Sequence, residues 1–385
     1  MSDIAPTLDI LRTLIAFDTT SRNSNLALIE WVEDFLGKRD IASTRVSNAD
    51  GTKANLYAIV GPDAPGGVVL SGHTDVVPVD GQAWTSDPWV LTARGGKLYG
   101  RGTSDMKSFI ALALAHTDEA LAARMKRPLI FAFSYDEEVG CLGAPAMIEQ
   151  IAGKVPRPSA VIVGEPTSMQ VVSGHKGISV FNVAVEGREA HSSATGQGVS
   201  AIMEALKLMK VIEAMGAEAA AKADPASPFE PKSATMTIGM VNGGTASNIL
   251  ARRCEFLWDL RCPPGDDPEA YVKRFMAAAD ALDKEIKVRA PEGGVNVTRR
   301  SNTPPLAPTR VGDAEVLARA LTGDNALHVA SYAAEAGLFQ QADFSVVLCG
   351  PGSIAQAHQP DEWIEESQIA AGADFMKGLI RRLAG

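Results

Sequence analysis

From about Ile178 the chain stops mixing short apolar runs with helical stretches and writes out a closed set of six elements. An alternating strand (Val180, Asn182, Val183, Val185) leads to a long helix over 199–223 and a loop punctuated by Pro225, Pro228 and Pro231. Strands are predicted over 234–241 and 254–261, then a helix over 267–283 and a last strand over 285–290. The order βαββαβ is that of a split βαβ, ferredoxin-like α+β unit, which forms a complete small domain. A unit of this kind in mid-chain reads as an insertion, so what flanks it belongs together.

The flanks have one character. Leu8, Leu11 and Ile15, then Leu28, Ile29, Val32, Phe35 and Leu36 with Gly37 as the stop, are spaced as two amphipathic helices. Apolar runs at 55–60, 67–72, 129–135 and 160–164 read as strands, with helical patterns over 108–124 and 144–151. After Pro304 and Pro305 the pattern resumes with a helix over 313–321, a buried strand over 345–349 and a closing helix over 366–383. The expected architecture is α/β, a mixed sheet flanked by helices, divided as 1–177, an inserted 178–291 and 292–385.

Composition excludes several partners. With 36 Lys and Arg against 46 Asp and Glu the net charge is −10, which opposes a non-specific hold on nucleic acid or anionic lipid. The longest apolar stretches, such as 109–115, fall far short of the roughly 18 to 20 residues that cross a bilayer. The start, MSDIAPTLDI, carries no basic and then apolar leader, so a cytoplasmic location is expected. Cys141, Cys254, Cys262 and Cys349 show no C-x-x-C pairing and read as buried thiols.

Six histidines occur, at 73, 116, 175, 191, 328 and 358, and two of them end apolar strands or follow them closely. His73 closes VVLSGH two residues before Asp75; His358 follows VVLCGPG through a short loop. Glu137 and Glu138 follow LIFAFSY, and Glu165 follows AVIVG. Asp105 lies in a Gly-rich turn that opens a helix, where it would equally serve as an N-cap. The triplet Asp136 to Glu138 taken alone would be a solvated acidic loop. Ligands of open α/β sheets gather outside the carboxyl ends of strands, and these side chains share that address. Two His and three carboxylates with a spare Glu suit two divalent ions sharing a carboxylate. Two such ions can lower the pKa of a water from 15.7 towards roughly 7 and polarise a carbonyl, which is metal-assisted hydrolysis. His116 reads as structural, and His175 and His328 carry no motif.

The strings SGHTDVVPVDG, LYGRGTSDMK, DEEVGCLGA, VIVGEPT, EGREAHSS and CGPGSIAQAHQPDEW resemble the dizinc aminoacylase and carboxypeptidase family over nearly the whole chain. The resemblance implies that the inserted unit is a lid that also makes a homodimer. It implies His73 and Glu165 on one zinc, Glu138 and His358 on the other, and Asp105 as the bridge, with cobalt an alternative metal. Asp75 would orient the His73 ring, Glu137 would move the proton, and His191 would reach the site of a neighbouring subunit. Arg261 and Asn248 match positions that touch substrate in relatives, although Arg261 would also suit an ordinary strand ion pair. Glu335, in SYAAEAGLF, is a candidate to meet a cationic group such as the δ-ammonium of ornithine, with a structural helix residue as the alternative. The implied activity is deacylation of a small N-acylated amino acid, N-acetyl-L-ornithine foremost. Succinyl-diaminopimelate, N-acetylcitrulline and general N-acyl amino acids are the alternatives. One departure is Ser108, where close relatives usually have Gly after DMK.

Overall fold

The computed structural model describes residues 3–309 and 312–385. In chain order the elements are α1 (Ala5–Ile15), α2 (Leu26–Gly37), β1 (Ser43–Ser47), β2 (Ala54–Val60), β3 (Val68–His73), β4 (Thr92–Arg94), β5 (Lys97–Tyr99), α3 (Lys107–Ala115), α4 (Thr117–Ala122), β6 (Leu129–Ser134), α5 (Ala144–Lys154), β7 (Ala160–Val163) and β8 (Val172–His175). There follow β9 (Gly177–Glu186), α6 (Ala201–Ala221), β10 (Thr235–Gly243), β11 (Arg253–Cys262), α7 (Pro268–Arg289) and β12 (Gly294–Thr303). The chain closes with α8 (Asp313–Thr322), β13 (His328–Ala330), α9 (Ala336–Gln341), β14 (Val346–Leu348), β15 (Trp363–Glu365) and α10 (Glu366–Ala384). Two compact units result, Met1–Gly174 with Leu306–His328 and Ala334–Gly385, and His175–Pro305 with Val329–Ala333.

The first unit is built on a mixed sheet whose strands run in the order β1-β2-β6-β3-β7-β14-β8. Its four middle strands, β6, β3, β7 and β14, are mutually parallel neighbours. Burial on both faces explains why they read as unbroken apolar runs rather than as alternation: every residue of β3, β6, β7 and β14 is buried. The consequence matters for chemistry, because the residues that leave the carboxyl ends of four adjacent parallel strands emerge on one rim. The helical stretch expected over 108–124 is two helices. The break falls at His116, whose Nδ1–H donates to the Leu112 carbonyl at 2.8 Å. Lys107 is fully buried at the start of α3, and its ammonium donates to the carbonyl of Leu14, in the last turn of α1, at 3.0 Å and to that of Phe17, beyond its end, at 2.8 Å. Burial pushes its pKa down to about 7. A three-stranded sheet, β15-β5-β4, completes the unit.

The second unit carries the βαββαβ order, and its sheet runs β10-β11-β9-β12, the 4-1-3-2 arrangement of a ferredoxin-like fold. Strands β9 and β11 alternate strictly, so Phe181, Val183 and Val185 share a core with Phe256, Trp258 and Leu260. Trp258 stacks on Phe181 and tilts against Phe275 of α7, each at 4.7 Å between ring centres. Such aromatic pairs add about 0.5–1.5 kcal/mol beyond the area they bury. The strand expected over 285–290 is instead the last turns of α7. The string EIKVRA alternates like a strand, but Phe275, Ala279, Leu282 and Ile286 repeat at helical spacing and are buried, while Val288 stands 85% exposed. The closing strand is therefore β12, and the unit runs on to Pro305 rather than stopping at 291.

Candidate active site

The rim of the large sheet collects the expected side chains. His73 is the last residue of β3; Glu137 and Glu138 follow β6; Glu165 follows β7; His358 follows β14. Asp105 arrives from the loop between β5 and α3. It does not cap that helix: Met106 holds the N-cap position, and both Asp105 oxygens turn to histidines. Oδ1 lies 2.9 Å from His73 Nε2, and Oδ2 lies 3.3 Å from His358 Nε2. His358, whose backbone takes a left-handed φ of 63°, also sits 3.0 Å from Glu138 Oε2. Ligand-type atoms of His73, Asp105 and Glu138 lie within 4.8 Å of one another, and so do those of His73, Glu137 and Glu165.

The electrostatics of this cluster call for cations. Burial, and then the charges of Glu138, Asp105 and Asp75 against the opposing His73, push the Glu137 carboxyl up to about 8. Burial and Asp105 push Glu138 up to about 7, and the same two causes raise Glu165 well above the usual range. Burial would raise Asp105 as well, but the bonds to His358 and His73 hold it well below ordinary carboxylates. The bonds from His358 to Asp105 and Glu138 push its own pKa up to about 10. Oε1 of Glu138 and Oε1 of Glu165 are buried without a hydrogen-bond partner. Among the described residues, no lysine or arginine forms an ion pair with Asp105, Glu137, Glu138 or Glu165. Orphaned buried carboxylate oxygens are costly, and a set of acceptor-only oxygens with two imidazoles is the donor chemistry of divalent zinc-type ions.

Around the cluster, groups that sequence reasoning assigned differently or missed hold the loops. The His73 ring is oriented through Nδ1 by the Asp75 backbone carbonyl at 2.8 Å, with the Asp75 carboxylate further off at 3.7 Å. That carboxylate accepts the backbone N–H groups of Glu137 at 3.1 Å and Glu138 at 3.3 Å and the Ser21 hydroxyl at 2.7 Å. The Cys141 thiol donates to Glu137 Oε1 at 3.3 Å. On the other side Glu362, next to β15, accepts backbone N–H groups from Gly102 at 3.1 Å, Ser104 at 2.8 Å and Asp105 at 3.0 Å on one oxygen. Its second oxygen meets Arg101 Nη1 at 2.5 Å, and both side chains are fully buried. Removing such a pair from water costs several kcal/mol per ion, more than an ion pair alone returns, so the three N–H bonds are needed to hold it. Ser108 is compatible with the turn, since its hydroxyl donates to the Thr103 carbonyl at 2.7 Å.

Glu335 needs a correction. Expected to face a cationic group, it is 1% exposed, with one oxygen on the Ser71 hydroxyl and the other on that of Ser134 at 2.8 Å. Both serines lie on the central strands, so its carboxylate is taken up inside the unit. His175 is buried and donates through Nδ1 to the Lys176 carbonyl at 2.9 Å, and burial pushes it down to about 4. His328 pairs with Asp324 at 3.2 Å. All four cysteines are buried and none is in a disulfide.

The second unit carries the remaining candidates. Residues 190–192 run antiparallel to 248–250: the Ser192 N–H donates to the Asn248 carbonyl at 3.0 Å and the Leu250 N–H to that of Ala190 at 2.9 Å. His191 and Asn248 thus stand on facing segments, both exposed, and His191 Nδ1 lies 2.7 Å from the Ser193 hydroxyl. Arg261 lies 3.3 Å from Asp259 on its own strand, the ion pair that its sequence allowed. No helix among the described residues is long and apolar enough to cross a membrane.

Over 400 aligned residues the chain is 34% identical to an acetylornithine deacetylase of Myxococcus xanthus, covering the whole of both. A second acetylornithine deacetylase, of Erwinia tasmaniensis, is 34% identical over 392 residues, with 97% of this chain and 96% of the relative covered. A metallo-carboxypeptidase of the same family from Sulfolobus solfataricus superposes over the full length of both chains with a TM-score of 0.79 at 17% identity, a likeness of fold. The model of peptidase family M20/M25/M40 matches residues 69–382, which takes in every residue of the rim cluster, and the chain is a member of that metal-dependent hydrolase family.

Proposed function

We propose that this hydrolase removes the acetyl group from N-acetyl-L-ornithine, releasing L-ornithine and acetate, as a cytoplasmic step of arginine biosynthesis. The observation that carries the reading is the likeness, over the whole chain, to two relatives named acetylornithine deacetylase. In this reading His73 and Glu165 would hold one divalent ion, Glu138 and His358 would hold a second, and Asp105 would be shared between them; zinc suits the mixed imidazole and carboxylate set and cobalt would substitute. Bound there, the ions polarise the scissile carbonyl and acidify the attacking water. Glu137 accepts the proton of that water and delivers it to the amine nitrogen as the C–N bond breaks, while the water oxygen stays on the acetyl carbon. Its ligand-type atoms lie within 4.8 Å of those of His73 and Glu165, and among the described residues no lysine or arginine pairs with it, which suits a carboxylate that must both take and give a proton.

The reading extends to a homodimer through the inserted unit. Edge strand β10 is exposed along most of its length, with Met240 at 57% and Val241 at 53%, and α6 adds an exposed Met203 at 61%. An uncovered apolar edge strand is a template for a second copy. His191 of the partner subunit would then bind the oxyanion of the tetrahedral intermediate, with Asn248 and Arg261 contacting the amino-acid part of the substrate. The test is a side-by-side assay of acetylornithine, acetylcitrulline, acetylmethionine and succinyl-diaminopimelate, with metal content measured on the same preparation. Acetylornithine should have the highest kcat/KM. A clear preference for any of the other three overturns the substrate while leaving the reaction class in place.

A further inference from the structure

Two carboxylates in the first unit do the same job, each gathering backbone N–H groups of a loop that carries cluster residues. Asp75 gathers the N–H groups of Glu137 and Glu138, and Glu362 gathers those of Gly102, Ser104 and Asp105. Only the first of these is paired in the chain with a ligand by a two-residue step. The second comes from the segment that carries His358, four residues earlier, and so joins the two loops that bring Asp105 and His358 together.

Three further connections run the same way. The Gly100 N–H donates to the Glu362 carbonyl at 3.0 Å, continuing the pairing of β15 with β5 up to the start of the Asp105 loop. Arg101, held by Glu362, donates through Nη2 to Gln82 Oε1 at 2.7 Å, and the Gln82 amide donates to the His358 carbonyl at 3.0 Å. The Ser353 N–H meets Ser104 Oγ at 3.2 Å, and Ser104 Oγ donates in turn to the Ser353 carbonyl at 3.1 Å. The Asp105 loop has little regular structure of its own, and its amides would otherwise be turned to water or left unpaired. Glu362 supplies the acceptor for three of them at once.

We infer that Glu362 is a positioning residue of the hydrolase: buried against Arg101, it locks the Asp105 loop to the His358 segment and so sets the spacing at which Asp105 can span two ions. It touches neither substrate nor ion and acts through the backbone of Asp105. The inference rests on the metal reading above for its consequence, but its structural half does not. Hydrogen exchange in the metal-free protein reads that half directly.

In metal-free wild type, the amides of Gly102, Ser104 and Asp105 should be protected, and E362Q and E362A should release them, the alanine variant more. In the metal-loaded enzyme both variants should lose roughly 10- to 100-fold in ion affinity or kcat, the range for groups that orient ligands, with KM for the substrate little changed. E204A is the control for general destabilisation, because Glu204 is a buried carboxylate paired with Lys207 and Arg289 in the second unit. It should lower the melting temperature without moving ion affinity. The inference is overturned if those three amides exchange freely in metal-free wild type, a result that needs no variant to fold. It is equally overturned if folded E362Q and E362A both keep wild-type ion affinity and kcat, or if E204A lowers ion affinity as much as they do. Wild type that binds no divalent ions while its three amides stay protected would sink the metal reading and not the clamp.

Discussion

The rim of the large sheet and the 188–198 and 248–252 segments of the second unit both carry polar groups tied to the proposed reaction, but they are built differently. On the rim, His73, Asp105 and Glu165 are almost wholly buried, and their loops are fastened by partners far away in the chain. In the second unit His191 and Asn248 are exposed, their segments are joined by backbone hydrogen bonds, and the His191 ring rests on the nearby Ser193 hydroxyl. The first arrangement is fixed before any ligand arrives. The second keeps its side chains at the surface, as the proposed donation of His191 across a subunit boundary would require.

The contrast can be broken most severely by taking metal away. Chelation should abolish turnover, and adding zinc or cobalt should restore it, with about two ions per chain in the active protein by elemental analysis; full activity with one ion would refute the shared-carboxylate reading. Next in size is Glu137→Gln, which should keep both ions and lose about 10²- to 10⁴-fold in kcat. Loss of the ions with the activity would move Glu137 into the ligand set instead. His191→Ala should cost on the order of 10²- to 10³-fold in kcat with the ions retained. Mixing it with Glu137→Gln under subunit exchange should recover activity if the histidine serves the partner's site. Recovery failing despite proven exchange would confine His191 to its own chain.

Two smaller effects sharpen the comparison. In metal-free protein Glu137, Glu138 and His358 all have folded-state pKa values raised, to about 8, about 7 and about 10. Each contributes stability fully present below its unfolded value and lost as pH rises through the folded one. The melting temperature of metal-free protein should therefore fall progressively from about pH 4.5 to about pH 10, and saturating zinc should flatten that slope. Zinc binding at pH 7 should also expel protons, measurable as a buffer-dependent heat. Last, Glu335→Gln should lower stability by about 1–3 kcal/mol while leaving the ratio of acetylornithine to acetylcitrulline turnover unchanged. A change in that ratio would return Glu335 to the substrate pocket.

The rim was legible because its strands are buried on both faces: unbroken apolar runs end where the chemistry begins, so His73, Glu138, Glu165 and His358 stand out. What the chain conceals is whatever depends on who meets whom. Glu362 follows Asp361 on a polar stretch, and nothing local announces that it lies fully buried on Arg101. Glu335 is open to both a substrate and a structural reading, because nothing local announces Ser71 and Ser134. The strand expected over 285–290 failed for a related reason, since a six-residue alternation could not outweigh the helical repeat of Phe275, Ala279, Leu282 and Ile286 that the core selects.

Strand β14 lies between β7 and β8, two strands only nine residues apart in the chain, yet it is contributed by residues 346–348. During synthesis β7 and β8 emerge early and cannot close on each other without occupying the place of a strand still to be made. The nascent chain must therefore carry an open slot in its main sheet through the whole translation of the inserted unit. Pairing across such distances forms slowly, and unpaired edges invite association between chains. A ribosome that stalls before residue 346 would release a chain with no His358 and with two bare edges where β14 should be, inert as a hydrolase and prone to aggregate.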